Sequence, residues 1–418
     1  MAINILIDGL FVSHGVGEMA LAGVNIALPV YSIIFSISLW FGMGGATLYS
    51  MALGNNRRQD AKAVFTQTMA FTVLTAGSIL AICLLFETQI AYLFGASDTI
   101  IGYVLDYLHI ILLFGIIFVI ENILSIFIRN DGNPTLAMLG LVVTALVNIV
   151  LNYVFIFVLD YGVEGAAYAT IMGAVVGTGV LLLHFLRPTR TLGWVKTRLN
   201  VNTIKQILTI GFPSFVVEGA AVITIILFNV TFNRYAGDTG MASFAIVNYM
   251  HTVFLMLFIG VGAALQPITS FLYGAKSHAR LLVFVKIATL TALGLGAVLA
   301  LLGFTAGAWI VQLFGATDPK IVSYTQLGIG YFFLGYLFLG VNMVLLEFYQ
   351  SIGNTLNAVL IVVLRAIVLF VPLLLILPGL LGQNSIWLVF PISEGGTLLL
   401  VYLALKFKWR TLLPHEGA

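Results

Sequence analysis

Apolar residues run along this chain in long blocks, and polar residues are confined to the stretches between them. Twelve blocks can be marked, at residues 2–14, 21–53, 64–86, 100–128, 136–159, 165–186, 207–232, 241–273, 282–303, 323–349, 355–378 and 385–405. A helix needs about 20 apolar residues to cross a hydrocarbon core roughly 30 Å thick. Lipid offers the backbone no hydrogen-bond partner, so a spanning block is predicted to be a helix. The pattern predicts an all-α polytopic membrane protein with about twelve transmembrane helices. The first block covers only roughly 20 Å, so the first helix is expected to be incomplete, its first half missing from this reading frame. No basic segment and no small-residue cleavage site mark it as a signal peptide. The second and eighth blocks are long enough to be tilted, bent or protruding. Pro29 can bend the second, and Gly42, Gly44, Gly45, Gly260 and Gly262 suit close helix packing.

The blocks repeat. Gly17, Ala22, Ile26, Gly42 and Gly54 recur as Gly237, Ala242, Ile246, Gly262 and Gly274, each 220 residues on. The same shift brings Leu93, Phe94, Gly95 and Ala96 onto Leu313, Phe314, Gly315 and Ala316, with Asp98 onto Asp318. Gly132 and Asn133 recur as Gly353 and Asn354 at 221. A block in constant register indicates tandem duplication. With six blocks in each copy, both copies enter the membrane the same way. Two parallel six-helix repeats forming two lobes are expected, residues 1–196 (first helix incomplete) and 197–418, joined through the polar stretch from Arg187 to Ile210. Parallel repeats of this kind occur in transporters whose binding site lies at the repeat interface near the bilayer midplane. The two long helices are then expected to face each other across a cleft, and Tyr31, Trp40, Tyr249 and Phe254 on them are candidates for holding a cationic substrate.

Composition agrees with this picture. The chain is 61% hydrophobic and 8% charged, against about 25% charged in soluble domains, and its mean hydropathy is +1.11. The single Cys83 excludes an intramolecular disulfide and a cysteine zinc site. No nucleophile, metal-ligand cluster or phosphate loop is visible, so no enzyme, and no cofactor beyond a coupling ion, is expected. Basic residues fall in alternate loops: Arg57, Arg58 and Lys62; Arg129; Arg187 to Lys205; Lys276, Arg280 and Lys286; Lys406, Lys408 and Arg410. The intervening loops carry Glu18, Glu87, Asp98, Asp160, Glu164, Asp238 and Asp318, with only Arg234 and Lys320 against them. The positive-inside rule then places both termini in the cytoplasm.

A charge at the bilayer centre costs at least about 2.5–3.5 kcal/mol, so each marks a candidate site. Asp8, Asp106, Glu121, Glu218, Glu347, Glu394 and Arg365 qualify. Arg365 and Glu394 flank the turn at Gly382 at similar depths and are expected to pair, structurally or as a gate. Asp8 has no basic partner in reach along the sequence. Asn148 and Asn152, one helical turn apart, share a face and can share its proton or help to hold sodium, or else bridge helices. Glu218 is the principal acid of the second repeat. Glu121 and Glu347, near the cytoplasmic ends of their blocks, are secondary candidates, and Asp106 ranks below them.

The chain also resembles the multidrug and toxic compound extrusion (MATE) family of the MOP flippase superfamily. The resemblance rests on the start at Asp8 with Gly15 and Gly17, the run ALAGVN, RNDGNP from Arg129 to Pro134, and residues Asn148 to Phe157. It continues through GVEGAA from Gly162, GFPSF from Gly211, Gln266 and Pro267, YGAK from Tyr273, QSIGN from Gln350, Arg365, and Trp387 to Glu394. It implies a two-lobed antiporter of the plasma membrane that exchanges H+ or Na+ for amphipathic, mostly cationic compounds, expected as a monomer. On that resemblance Asp8 matches the coupling acid of the first helix and Asn148 an asparagine of the fifth. Asn152 stands where the DinF-like branch carries an aspartate, and this shifts weight toward Glu218 and the second repeat. Glu218 and Glu347 are similar in position to acids of the NorM-like branch. A lipid-linked oligosaccharide or polysaccharide flippase of the same superfamily is the alternative.

Overall fold

The computed structural model describes residues 2–315 and 317–408. Ala316 and Arg410 lie outside the described residues, as do the side chains of Glu18, Lys406 and Lys408. The first half of the chain forms α1 (Ala2–Gly15), α2 (Glu18–Gly54), α3 (Arg58–Leu85), α4 (Glu87–Leu93), α5 (Ile101–Phe114), α6 (Ile116–Asn130), α7 (Pro134–Tyr153) and α8 (Gly162–Leu182). Then come α9 (Val201–Gly274), α10 (His278–Thr305), α11 (Gly307–Leu313), α12 (Pro319–Phe333), α13 (Tyr336–Ser351), α14 (Thr355–Val363), α15 (Phe370–Leu381) and α16 (Ile386–Lys408). Among the described residues there is no strand, as a backbone that must satisfy itself in lipid requires.

Eight helices among the described residues are long and apolar enough to cross a membrane, and the bent pairs α5–α6 and α12–α13 bring the number to ten. The bends are 52° near Gly115 and 43° near Gly335, where the sequence pattern predicts unbroken segments. The 74 residues of α9 would extend about 110 Å if straight. They are not straight. Its Gly211 and Ala275 both meet α2: a Cβ added at Gly44 would lie 2.9 Å from Gly211 N, and one at Gly54 2.8 Å from Ala275 N. These two α2 glycines are only about 15 Å apart along their helix, so α9 must reverse between its ends. Gly237 makes the turn, with φ 56° and ψ −147°, a conformation open to glycine alone at low cost. Counting α9 twice and adding α1, the structure has the predicted twelve-helix plan.

The duplication is visible in the backbone. Left-handed residues stand at Gly17, Asn56 and Gly95, and again 220 residues on at Gly237, Lys276 and Gly315. Gly132 and Gly353 repeat at 221, and each is followed by an asparagine cap. Asn133 accepts from Leu136 N and Asn354 from Asn357 N, both at 3.4 Å.

The chain divides into two compact units, Met1–Phe215 with Ser270–Lys276, and Val216–Thr269 with Ser277–Ala418. The connection after α8 lies on the first unit. Its anchor is Asp131 of the RNDGNP run, which accepts from Tyr49 Oη at 2.6 Å, from Thr191 N, and from Leu192 N at 3.1 Å. His184 is fully buried beside it; Asn133 Nδ2 donates to its Nδ1, so its Nε2–H donates to Asp131 at 2.8 Å. Further along, Val195 N donates to Thr66 Oγ1 and Asn200 N to Gln67 Oε1. One carboxylate thus ties α2, the end of α6 and the connection after α8 together. Removing it in Asp131→Ala would leave the His184 and Tyr49 donors buried without an acceptor. The expected loss is about 3 kcal/mol of stability, read as a lower midpoint of thermal unfolding in detergent, with Asp131→Asn, which keeps one acceptor oxygen, intermediate.

Candidate functional site

Within the first unit, α1, α2, α5, α6, α7 and α8 surround a cavity of about 240 Å³. Helical spacing aims the polar side chains of α7 into it. Thr144, Asn148 and Asn152 are each one turn apart and so form a stripe, with Asn148 and Asn152 2% and 0% exposed. Asn152 Nδ2 donates to Asp8 Oδ1 at 2.5 Å, and Asn148 Nδ2 donates to Thr170 Oγ1 of α8 at 3.2 Å. The side-chain oxygens of both asparagines are buried without a hydrogen-bond partner. Buried acceptors left open beside a carboxylate are costly unless something fills the space between them. Just beyond Asn152, the helix widens into a π-helical turn, Val154–Val158, a feature frequent beside functional sites.

Elsewhere in the cavity wall, Thr144 Oγ1 is hydrogen-bonded to Glu121 Oε1 of α6. Asn122, next to it, donates to Ser38 Oγ of α2 at 2.7 Å. Tyr31 packs edge-on to Phe118, ring centroids 5.2 Å apart, and both line the cavity with Phe35 and Tyr107. The structure therefore gathers Asp8, Asn148, Glu121 and Tyr31 around one space, with Asn152 behind Asp8. Sequence reasoning missed Thr144, Thr170 and Asn122. Thr144 was within reach of it, since it falls four residues before Asn148 on the same stripe.

The other candidates lie elsewhere. Trp40 does not line the cavity: its Nε1 donates to Leu208 O at 2.7 Å, and its ring packs on Phe215 at 4.9 Å. Asp106 is exposed. Glu218, Tyr249, Phe254, Glu347, Arg365 and Glu394 belong to the second unit. Glu218 is partly buried on α9. Glu347 lies over Gly262, where a Cβ would stand 2.6 Å from its Cγ. Tyr249 is half exposed and stacks on Phe314, while Phe254 packs edge-on to Phe333 and Tyr336.

Arg365 and Glu394 pair as the sequence predicts, Nη2 to Oε1 at 2.8 Å, with side chains 15% and 3% exposed. Asn342 Nδ2 donates to the second carboxylate oxygen at 2.7 Å, and Arg365 Nη1 lies 3.1 Å from Met343 Sδ. Arg365 also stands in a π-helical turn, Leu364–Val368.

Comparison with known proteins gives the geometry a context. The MatE family profile matches residues 3–154 and 213–376. The multidrug export protein MepA of Staphylococcus saprophyticus is 26% identical over 392 residues, 92% of this chain and 85% of that protein. A solved structure of the MATE multidrug transporter DinF-BH is 32% identical, with a TM-score of 0.85 over 97% of this chain and 92% of that one. A crystal structure of MATE in the bent conformation has a TM-score of 0.91 at 22% identity, over 98% and 92%.

Truncating one member of the Arg365–Glu394 pair strands the other charge in a nearly dry site. Arg365→Met is expected to lower stability by about 3–5 kcal/mol, whereas the double variant Arg365→Met, Glu394→Gln should recover most of that loss. Thermal unfolding of the two single variants and the double variant measures the coupling, and an additive result would show that the pair does not act as a pair.

Proposed function

Because this chain belongs to the MatE family of membrane transporters, we propose that it exports amphipathic, mostly cationic compounds in exchange for H+ or Na+. The observation that carries this reading is the half-buried carboxylate of Asp8, held by Asn152 Nδ2, beside two buried asparagines whose side-chain oxygens have no hydrogen-bond partner. A monovalent cation there would neutralise one carboxylate and satisfy the open acceptors. A proton would serve one oxygen of this set, and a sodium ion several. Asn152 leaves the site a single negative charge, which fits one monovalent ion per occupancy.

Exchange then follows from differential affinity. An ion that binds one arrangement of the transporter better than another shifts the population toward it, and a cationic substrate that prefers the opposite occupancy moves with the reverse phase. Alternating access of this kind uses the protein as a membrane antiporter. Both termini are assigned to the cytoplasm from the loop charges, and the chain is taken to act as a monomer.

A flippase for lipid-linked oligosaccharide would have to receive an anionic diphosphate. Arg365 is already neutralised by Glu394, and no Lys, Arg or His lines the first-unit cavity. Neither place offers such a substrate a free cation, so the export reading is preferred.

Ethidium efflux from cells expressing the protein tests it, under imposed sodium or proton gradients. Asp8→Asn removes the charge that holds the ion, and a lost charged hydrogen bond of about 1.5–3 kcal/mol corresponds to a ten- to hundredfold weaker ion response. Glu218→Gln, away from this cavity, should alter efflux less. The gradient that drives wild-type efflux identifies the ion, and efflux unchanged in Asp8→Asn would overturn the assignment of the site.

A further inference from the structure

The connection after α8 is held against the side of α3. Val195 N donates to Thr66 Oγ1 at 3.1 Å and Asn200 N to Gln67 Oε1 at 2.8 Å, while the Trp194 ring packs on Phe65 with centroids 4.9 Å apart. Residues 193–200 therefore form a strap along the first turns of a helix that is apolar enough to cross the membrane. The 28 residues of α3 make about 42 Å of helix, against a hydrocarbon core of roughly 30 Å. Its charged residues Arg58, Asp60 and Lys62 all stand at this end, so the excess of about 12 Å lies here. Thr66 falls about 12 Å along the helix from Arg58. The strap thus lies at the depth where hydrocarbon gives way to lipid head groups.

Its charge is of one sign. From Arg187 to Lys205 there are five basic residues and no acidic one. Arg187, Arg190, Lys196 and Arg198 are exposed, and among the described residues none of them is in an ion pair. Lys62 joins them from α3, since a Cβ on Gly193 would lie 3.9 Å from its Cε. Asp60 is the only acid in the first turns of α3, and Asp131 is taken up by Tyr49, His184 and the backbone of the connection. The loop-charge rule asks only for a number of bases on one side of the membrane. Here two backbone hydrogen bonds do more, because Lys196 and Arg198 stand between the pins at Val195 and Asn200 and are kept at one depth.

Apolar side chains are interleaved with these bases. Trp194, Leu199 and Val201 are exposed on the strap and just beyond it, as is Leu186 at the end of the preceding helix. At a membrane surface such groups enter the interface, where an indole is at home, while Lys and Arg lay their stems along the apolar layer and keep their charges at the phosphates. An acidic polypeptide would match the charge, but not the depth or the exposed apolar side chains.

We propose that the strap and the start of α3 form a binding surface for anionic phospholipid, the head-group phosphodiester meeting Lys62, Lys196 and Arg198 and the acyl chains lying beside Trp194. A zwitterionic lipid carries its own cation next to the phosphate and gains less from these bases. Bound lipid would relieve the repulsion among them and tie the strap to α3. The inference is independent of what the protein exports.

The test follows the midpoint of thermal unfolding of the purified full-length protein in uncharged detergent. Dioleoyl phosphatidylglycerol, dioleoyl phosphatidylcholine, soluble glycerol 3-phosphate and poly-glutamate are added in separate titrations. Phosphatidylglycerol should raise the midpoint, less so at high salt, and the other three should not. The double variant Lys196→Gln, Arg198→Gln should need about 25-fold more phosphatidylglycerol for the same rise, roughly fivefold for each base removed. Arg280→Gln, Lys286→Gln, an equal loss of charge on α10, should respond as the wild type does. Brominated phosphatidylglycerol should quench the tryptophan fluorescence of the wild type more than that of Trp194→Phe. An equal rise with phosphatidylcholine, or equal weakening in the two double variants, would overturn the site, and so would quenching unchanged in Trp194→Phe. A rise with poly-glutamate as large as that with phosphatidylglycerol would overturn it in favour of an acidic polypeptide, and a rise with glycerol 3-phosphate in favour of a soluble phosphate.

Discussion

In hydrocarbon a polar group has no solvent to fall back on, and this scarcity orders the whole molecule. The backbone answers by forming helices. Side chains have fewer options, and most of the buried hydroxyls bond to a carbonyl of their own helix, as Thr68, Thr72 and Thr269 do. What is left over is informative. Asp131 and Glu394 are each surrounded by donors and are tied in place. Asp8 is not so well supplied, and the two amide oxygens near it have no partner among the described residues. Asn342 beside Glu394 leaves its side-chain oxygen open as well, but that carboxylate is neutralised by Arg365, whereas among the described residues no ion pair reaches Asp8, and this separates its site from the structural ones.

The duplication shows how much of the plan belongs to the backbone and how little to the chemistry. Turns at Gly17 and Gly237, at Gly95 and Gly315, and at Gly132 and Gly353 repeat with their left-handed conformations, and the asparagine caps repeat with them. These positions are constrained by geometry: a left-handed turn admits few residues, and a cap needs a short polar side chain. Inside the helices the constraint is only that a side chain fit and find partners. The copies have diverged there, with Asp8 opposite Phe228 and Thr144 opposite Arg365.

Much of this was legible in the sequence because it depends on spacing along a single element. The helix plan, the repeat, the pairing of Arg365 with Glu394 across one turn, and the shared face of Asn148 and Asn152 all follow from counting residues. Glu121 ranks as secondary on the sequence because its depth is counted along an unbroken helix. The 52° bend near Gly115 sets the two halves of that segment in different directions, and the acid falls in the cavity with Asp8. Trp40 shows the converse. An aromatic ring on a long helix can point to several neighbours, and nothing in the local sequence says that Leu208 O will take its N–H. The reversal of α9 at Gly237 was legible as a loop. Its consequence, that both ends of α9 pack on α2, needed the three-dimensional structure.

The divergence between copies bears on which unit can exchange its ions. A guanidinium held by a buried carboxylate leaves only if the pair is broken, and breaking such a pair costs about 3–5 kcal/mol because the abandoned charge has no other partner. An acid whose neighbour is a neutral amide, as Asn152 is to Asp8, is under no such restriction, since a bound ion can depart without breaking a pair within the protein. The second unit thus carries a positive charge that is already neutralised by its own acid. On the reading proposed above, the first unit instead keeps a place for an ion that comes and goes, and the open acceptors near Asp8 are the cost of leaving room for it.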